Sequence, residues 1–257
     1  MSGDTLPAGY VRSAHDGIEL VSRAWAADAL AFALVAHGTL YRWAEAQSGR
    51  EALRGRGVAW AATLPAGTDA DLRTPVVVRH SRHGGVLASL TGDLFPRPTR
   101  APNELVASAR LTAAGVPTPE VIAYVVHPVA GLLARSDVMT RRLPPGRDFP
   151  AAWLAHSSVT ERATIIDAVA ALLRALSRAG AHHPDLNCKN IYVAGDGGAV
   201  TAYVLDVDRV RFTEDAQAAA SNFARLARSV RKWDAEQSLG VGDDALVRLA
   251  ALAWVDA

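Results

Sequence analysis

Three side chains in this chain have types and an order that could do chemistry together. Asp185 and Asn190 lie five positions apart within His182-His183-Pro184-Asp185-Leu186-Asn187-Cys188-Lys189-Asn190-Ile191, and Asp206 follows the apolar run Ala202 to Leu205. A carboxylate can take the proton of a hydroxyl group, which is the work of a general base. An amide oxygen and a second carboxylate are hard oxygen donors suited to Mg²⁺, which keeps several waters and needs few protein ligands when phosphate oxygens complete its shell. The chemistry suggested is phosphoryl transfer, in which positioning and charge neutralisation matter more than covalent steps. Asp185 is the expected base and Asn190 and Asp206 the expected metal positions, with Asp208 as a helper. Taken alone, an Asp-x4-Asn pair is also an ordinary capped turn.

What favours the chemical reading is the order of the elements that must position these groups. Gly55-Arg56-Gly57 precedes the first of two antiparallel strands expected at Val58 to Leu64 and Pro75 to His80, and the second strand carries Arg79 near its end. A helix over Asn103 to Ala114 carries Glu104, and Gly115 stops it. Strands at Val121 to Val126 and Leu132 to Thr140 follow, and a turn at His15-Asp16-Gly17 predicts a hairpin near the front. The N-terminal part therefore reads as rich in strands with one helix.

Beyond Leu143-Pro144-Pro145-Gly146 the pattern turns helical. Ser158 and Glu161 form a capping box, and Ile165, Ile166, Val169, Leu172, Leu173 and Leu176 recur on one face until Gly180. Further helices are expected over Ala216 to Trp233 and Asp244 to Trp254, with a break at Gly240 to Gly242. Glycine loop, strand with cation, helix with Glu, long helix, Asp/Asn loop, strand and Asp is the order of a kinase core. The fold class expected is α+β and protein-kinase-like: a strand-rich lobe over residues 1–142, a helical catalytic lobe over 143–257, and ATP between them.

Composition agrees with a folded enzyme and narrows its surroundings. Half of the 257 residues are hydrophobic, enough to bury a substantial core. Lys+Arg 27 against Asp+Glu 26 makes no case for nucleic-acid binding, so any basic site must be local. The single cysteine, Cys188, cannot form an internal disulfide and reads as a small packing residue, and no spaced Cys/His set suggests zinc. The first residues lack the pattern of a secretory signal, and the apolar stretch Ala24 to Ala36 carries Asp28 and falls short of the roughly 20 residues of a membrane span. A cytoplasmic protein is expected, with any membrane contact peripheral.

The chain resembles the bacterial lipopolysaccharide kinases. The resemblance runs from about Gly55 to Lys232 and rests on Gly55-Arg-Gly57, Val78 to Gly85, Thr99-Arg100-Ala101 with Glu104, Gly115-Val-Pro117-Thr-Pro119, His183 to Ile191, Leu205 to Arg209 and Asn222 to Lys232. It implies ATP-dependent phosphorylation of a sugar hydroxyl, with 3-deoxy-D-manno-octulosonic acid (Kdo) on a lipid A precursor as the foremost acceptor, at the cytoplasmic face of the inner membrane. By the same resemblance Asp185 is the proton acceptor, Asn190 and Asp206 hold metal, and Arg79 pairs with Glu104. Gly55 and Gly57 would let backbone amides approach phosphates, although two glycines before a strand are also a common turn.

Several positions depart from protein kinases. Arg79 stands where a lysine is usual, but a guanidinium can still bridge phosphate and carboxylate. Pro184 replaces the arginine that would receive a phosphorylated activation loop, and Asn187 replaces a lysine, so a sugar or small-molecule kinase fits better than a protein kinase. His183 is expected to orient the loop through a hydrogen bond. Arg82, Arg100, Arg209 and Arg211 could receive an anionic sugar or glycolipid acceptor, against the plainer reading of solvated surface arginines. Arg225, Arg228 and Lys232 make a basic helical stripe that could face anionic lipid, opposite Phe223, Leu226 and Val230. The alternatives are a kinase for core heptose or a small molecule, and a kinase-like binding module without turnover.

Overall fold

The turn at Asp16-Gly17 joins β1 (Tyr10–His15) to β2 (Ile18–Arg23), and both turn residues take positive φ, 50° and 79°. In this computed structural model the residues described are 5–54, 57–65, 73–81, 92–195, 200–214 and 217–254. They fall into two compact units, one made of residues 1–106 with 120–142 and the other of 107–119 with 143–257.

The first unit is built on an antiparallel sheet. Beyond the front hairpin its strands are β3 (Glu51–Arg54), β4 (Val58–Pro65), β5 (Arg73–His80), the short β6 (Phe95–Pro96), β7 (Val121–Ala130) and β8 (Leu133–Arg141). Their order across the sheet is β1-β2-β7-β8-β5-β4-β3, with β6 pairing to β8. The strands expected at residues 58–64, 75–80, 121–126 and 132–140 are all present, and Ala59 pairs with Arg79 in register. Leu64, Val76, Val78, Ile122, Val125 and Met139 bury one face of the sheet.

Expecting one helix in this part was wrong. Besides α3 (Ala101–Ala113), the structure has α1 (Ala27–His37) and α2 (Leu40–Ala46), which pack Leu30, Ala33, Leu40 and Trp43 onto the same core. The reason they escape sequence reading is that α1 is apolar nearly all round. Leu30 is fully buried while Phe32 and Val35 are 75% and 77% exposed, so there is no polar face to reveal a helical period. Gly38, at φ 77°, ends α1, and the Thr39 hydroxyl caps α2 by accepting from the Arg42 N–H at 3.0 Å.

The second unit centres on α5 (Val159–Arg178), preceded by β9 (Gly146–Asp148) and α4 (Phe149–Ala155). The Ser158–Glu161 capping box starts α5 as expected, and Ile165, Ile166, Val169, Leu172, Leu173 and Leu176 are all buried. Gly180 ends the approach to β10 (Ala181–His182), which pairs with β13 (Arg211–Phe212). Its φ of 60° and the proximity of the Thr213 carbonyl to any added Cβ make glycine necessary there. β11 (Ile191–Ala194) and β12 (Thr201–Val204) pair antiparallel, with β9 on the other side of β11. α6 (Gln217–Gln237) and α7 (Asp243–Ala253) close the unit, burying Leu226, Val230, Leu246 and Leu249. Among the described residues, no helix is long and apolar enough to cross a membrane.

Candidate active site

The loop between β10 and β11 is held by its own polar side chains. His183 is fully buried, its Nδ1 accepts from the Asp185 N–H at 3.2 Å, and its Nε2 lies 3.1 Å from the Leu205 carbonyl. Only the neutral ring protonated at Nε2 satisfies both contacts. Burial accordingly pushes the His183 pKa below its ordinary value. The expectation that His183 orients this loop is met: one imidazole ties Asp185 to the residue preceding Asp206.

Two asparagines complete the loop. Asn187 accepts from the Lys189 and Asn190 N–H groups at 2.9 and 3.2 Å, which caps the 3-10 turn Cys188–Asn190, and its amide donates to the Asp185 carbonyl at 3.0 Å. The Asn190 amide nitrogen donates to the same carbonyl, also at 3.0 Å. The Asn190 side-chain oxygen is thereby left as the acceptor end. The Asn190 carbonyl in turn accepts from the Leu205 N–H at 2.8 Å, so the loop and the end of β12 are stitched backbone to backbone.

Asp206 sits just beyond β12 in the left-handed region, φ 58° and ψ 51°, starting the turn Val207–Arg209. A non-glycine residue there is uncommon, and such conformations cluster at functional positions. The strand leading to it is seated by the Gly115 to Pro119 stretch: Val204 N–H donates to the Pro117 carbonyl, and the Thr118 hydroxyl donates to the Val204 carbonyl, each at 2.9 Å.

Asp185 is exposed and its carboxylate accepts from Arg209 Nη1 at 3.0 Å. Arg209, expected at the acceptor, is thus engaged with the expected base. In the first unit, Arg79 and Glu104 form the anticipated ion pair, with the Glu104 side chain only 8% exposed. Gly57 directly precedes β4 and is exposed. Arg100 lies exposed just ahead of α3, and its carbonyl accepts from the Glu104 N–H. Gly55 and Arg82 lie outside the described residues. Cys188 is buried with its sulfur 3.1 Å from the Ser229 hydroxyl, as a packing residue should be, and burial raises its pKa.

Sequence reasoning missed the clamp on this loop and the groove beside it. Asn222 is 1% exposed, accepts from the His183 N–H at 2.9 Å and donates to the Ala181 carbonyl at 2.8 Å. The signal available was a polar residue four and eight positions before the buried Leu226 and Val230. Asp185, Asn187, Arg225, Arg228, Lys232 and Trp233 line a groove of about 500 Å³. Elsewhere in the first unit, His80 bridges the fully buried Asp137 at 2.6 Å and Asp93 at 2.9 Å. The hydrogen bond that the His80 Nδ1–H donates to the Asp137 carboxylate is the main cause of a raised His80 pKa.

The oxygen donors available suit magnesium better than a softer metal. The Asn190 side-chain oxygen and the Asp206 carboxylate are hard ligands, and among the described residues no group of three His, Cys, Asp or Glu side chains could hold a metal unaided.

Comparison with known proteins agrees with this architecture. The family model for the lipopolysaccharide kinase (Kdo/WaaP) family matches residues 41–241. The 3-deoxy-D-manno-octulosonic acid kinase of Vibrio vulnificus (strain CMCP6) is 27% identical over 190 residues, covering 72% of this chain and 74% of that protein. The enzyme of the same name from Vibrio parahaemolyticus serotype O3:K6 is 29% identical over 182 residues, covering 69% and 71%. Among solved structures, WaaP in complex with acyl carrier protein aligns with a TM-score of 0.51 at 19% identity, covering 83% of this chain and 81% of that one. That likeness concerns the fold, which is α+β and kinase-like.

Proposed function

The chain belongs to the lipopolysaccharide kinase (Kdo/WaaP) family, a family of sugar kinases of the lipopolysaccharide core, and from that premise we propose that it transfers the γ-phosphoryl group of ATP to a hydroxyl of Kdo on a lipid A precursor. Kinase membership brings ATP use with it. The Kdo acceptor is supported by the name shared by its curated relatives at 27% and 29% identity. The observation that carries the reading is the His183-centred network, which fixes the backbone of Asp185 while leaving its carboxylate exposed.

In the proposed mechanism the acceptor hydroxyl oxygen bonds to the γ-phosphorus as the bond from that phosphorus to the β–γ bridging oxygen breaks, and ADP leaves with the electron pair. The hydroxyl proton passes to Asp185, through the carboxylate oxygen not engaged by Arg209. Asn190 and Asp206 would hold Mg²⁺, which supplies neutralisation of phosphate charge. Arg79, steadied by Glu104, is assigned to the ATP phosphates, where a guanidinium fork suits phosphate oxygens. Gly57, with Gly55, is assigned to backbone contact with phosphates. Action on a glycolipid also places the protein at the cytoplasmic face of the inner membrane as a peripheral enzyme.

The test is transfer of labelled γ-phosphate to a Kdo-bearing lipid A precursor, to a heptose-bearing core and to free sugars, by wild type and Asp185→Ala. Label on the Kdo product that disappears in the variant is expected. Label on heptose or a free sugar alone would replace the acceptor, and absence of label on every acceptor would refute the reading.

A further inference from the structure

Three cations of α6 stand in one row, at spacings of three and four residues, and the row faces the loop that bears Asp185. Arg225, Arg228 and Lys232 line the groove of about 500 Å³ together with Asp185, Asn187 and Trp233. Neighbouring cations are already engaged: Arg209 with Asp185 at 3.0 Å, Lys189 with Asp148 at 2.7 Å, and Arg231 with Asp243 at 3.4 Å. The groove cations differ. The Arg225 Nε is buried without a hydrogen-bond partner, and Arg228 has no acidic partner among the described residues. Among the described residues, the acidic partner of Lys232 is the exposed Glu236, at 3.8 Å.

Cations along one groove wall that lack a close acidic partner favour an anionic oxygen there, because a charge-assisted hydrogen bond is stronger than a neutral one. Two arginines and a lysine along one wall make a site for a carboxylate or phosphate, which guanidinium forks bind through paired N–H groups. Trp233 adds an aromatic side chain to the lining, with the Lys189 Nζ 5.1 Å from its ring centre. Because Asp185 opens onto the same groove, an anion seated on this row would belong to the molecule whose hydroxyl is phosphorylated.

We infer that the Arg225-Arg228-Lys232 groove binds an anionic group of the acceptor, carboxylate or phosphate, and sets its position relative to Asp185. This rests on the phosphotransfer reading for its choice of ligand. It moves recognition of the acceptor from Arg82, Arg100 and Arg209 to α6. Arg209 already serves the Asp185 carboxylate and has less freedom to receive a ligand.

The experiment measures equilibrium binding of Kdo-bearing lipid A precursor in detergent micelles to Asp185→Asn, without ATP, so that turnover plays no part. Adding Arg228→Ala or Lys232→Ala, both at exposed positions, should weaken binding about tenfold or more each, as loss of a charge-assisted hydrogen bond does. Arg228→Lys should recover part of the loss, and Arg231→Ala, outside the groove, should bind like the parent. Precursor stripped of its phosphates distinguishes the sources. Binding that stays sensitive to Arg228→Ala assigns the carboxylate, and binding that loses this sensitivity assigns the phosphates. Unchanged binding in both groove variants, or no binding of the parent, overturns the inference. Should wild type transfer phosphate to no acceptor while the groove variants still weaken binding, the phosphotransfer reading fails and the groove stands.

Discussion

Asn222→Ala would strike the loop from behind without touching any group assigned to chemistry. The Asn222 side chain joins the His183 N–H to the Ala181 carbonyl at 2.9 and 2.8 Å, and all three residues are at most 1% exposed. Alanine orphans a backbone donor and a backbone acceptor where water does not reach. Each such group costs about 1–3 kcal/mol, so the variant should be less stable by about 2–6 kcal/mol. Asn222→Asp is the informative partner, since it can still accept from His183 but cannot donate to Ala181 and brings a buried charge. Urea unfolding followed by tryptophan fluorescence measures both, and transfer assays below the transition measure the consequence for the loop. An unfolding free energy for Asn222→Ala within about 0.5 kcal/mol of wild type would refute the claim that this side chain seats the loop.

Other expectations follow from the same geometry. Asp185→Asn should lower kcat by about 10²–10⁴-fold, the usual worth of a general base, while nucleotide affinity measured by equilibrium binding stays near wild type. Glu104→Gln keeps shape but removes the charge facing Arg79, so kcat/KM for ATP should fall about five- to thirtyfold in steady-state kinetics, equivalent to about 1–2 kcal/mol. The raised pKa of His80 means that its protonated form is favoured by folding; this stability is fully present below the unfolded value near 6.5 and is lost as pH rises through the folded value. His80→Gln should therefore flatten the decline in stability on the alkaline side of about pH 6.5, measured by urea unfolding across pH.

The legible parts of the fold were those whose signals are local. The Ser158–Glu161 box, the apolar face of α5 and the turn at Asp16-Gly17 each specify their structure within a few residues of themselves. The loop from His183 to Asn190 was legible as a local turn because it is braced by its own Asn187 and His183. What escaped was set by distant neighbours. α1 is hidden by its uniform apolarity, and its buried side is set by α2 and β2, on which it packs. The engagement of Arg209 with Asp185 joins residues 24 positions apart, and nothing in either side chain's local sequence selects that partner over solvent. The pairing of His80 with Asp137 spans 57 positions and depends on strand register.

The left-handed backbone at Asp206 has a consequence for ancestry. Asn and Gly occupy that conformation readily, whereas Ala or a branched residue must carry strain there. A lineage that ceased to need the carboxylate would therefore drift first to Asn or Gly, leaving the turn after β12 intact. Under the metal role proposed for Asp206, such a substitution in a gene tree is expected on a branch that lost transfer and kept the fold.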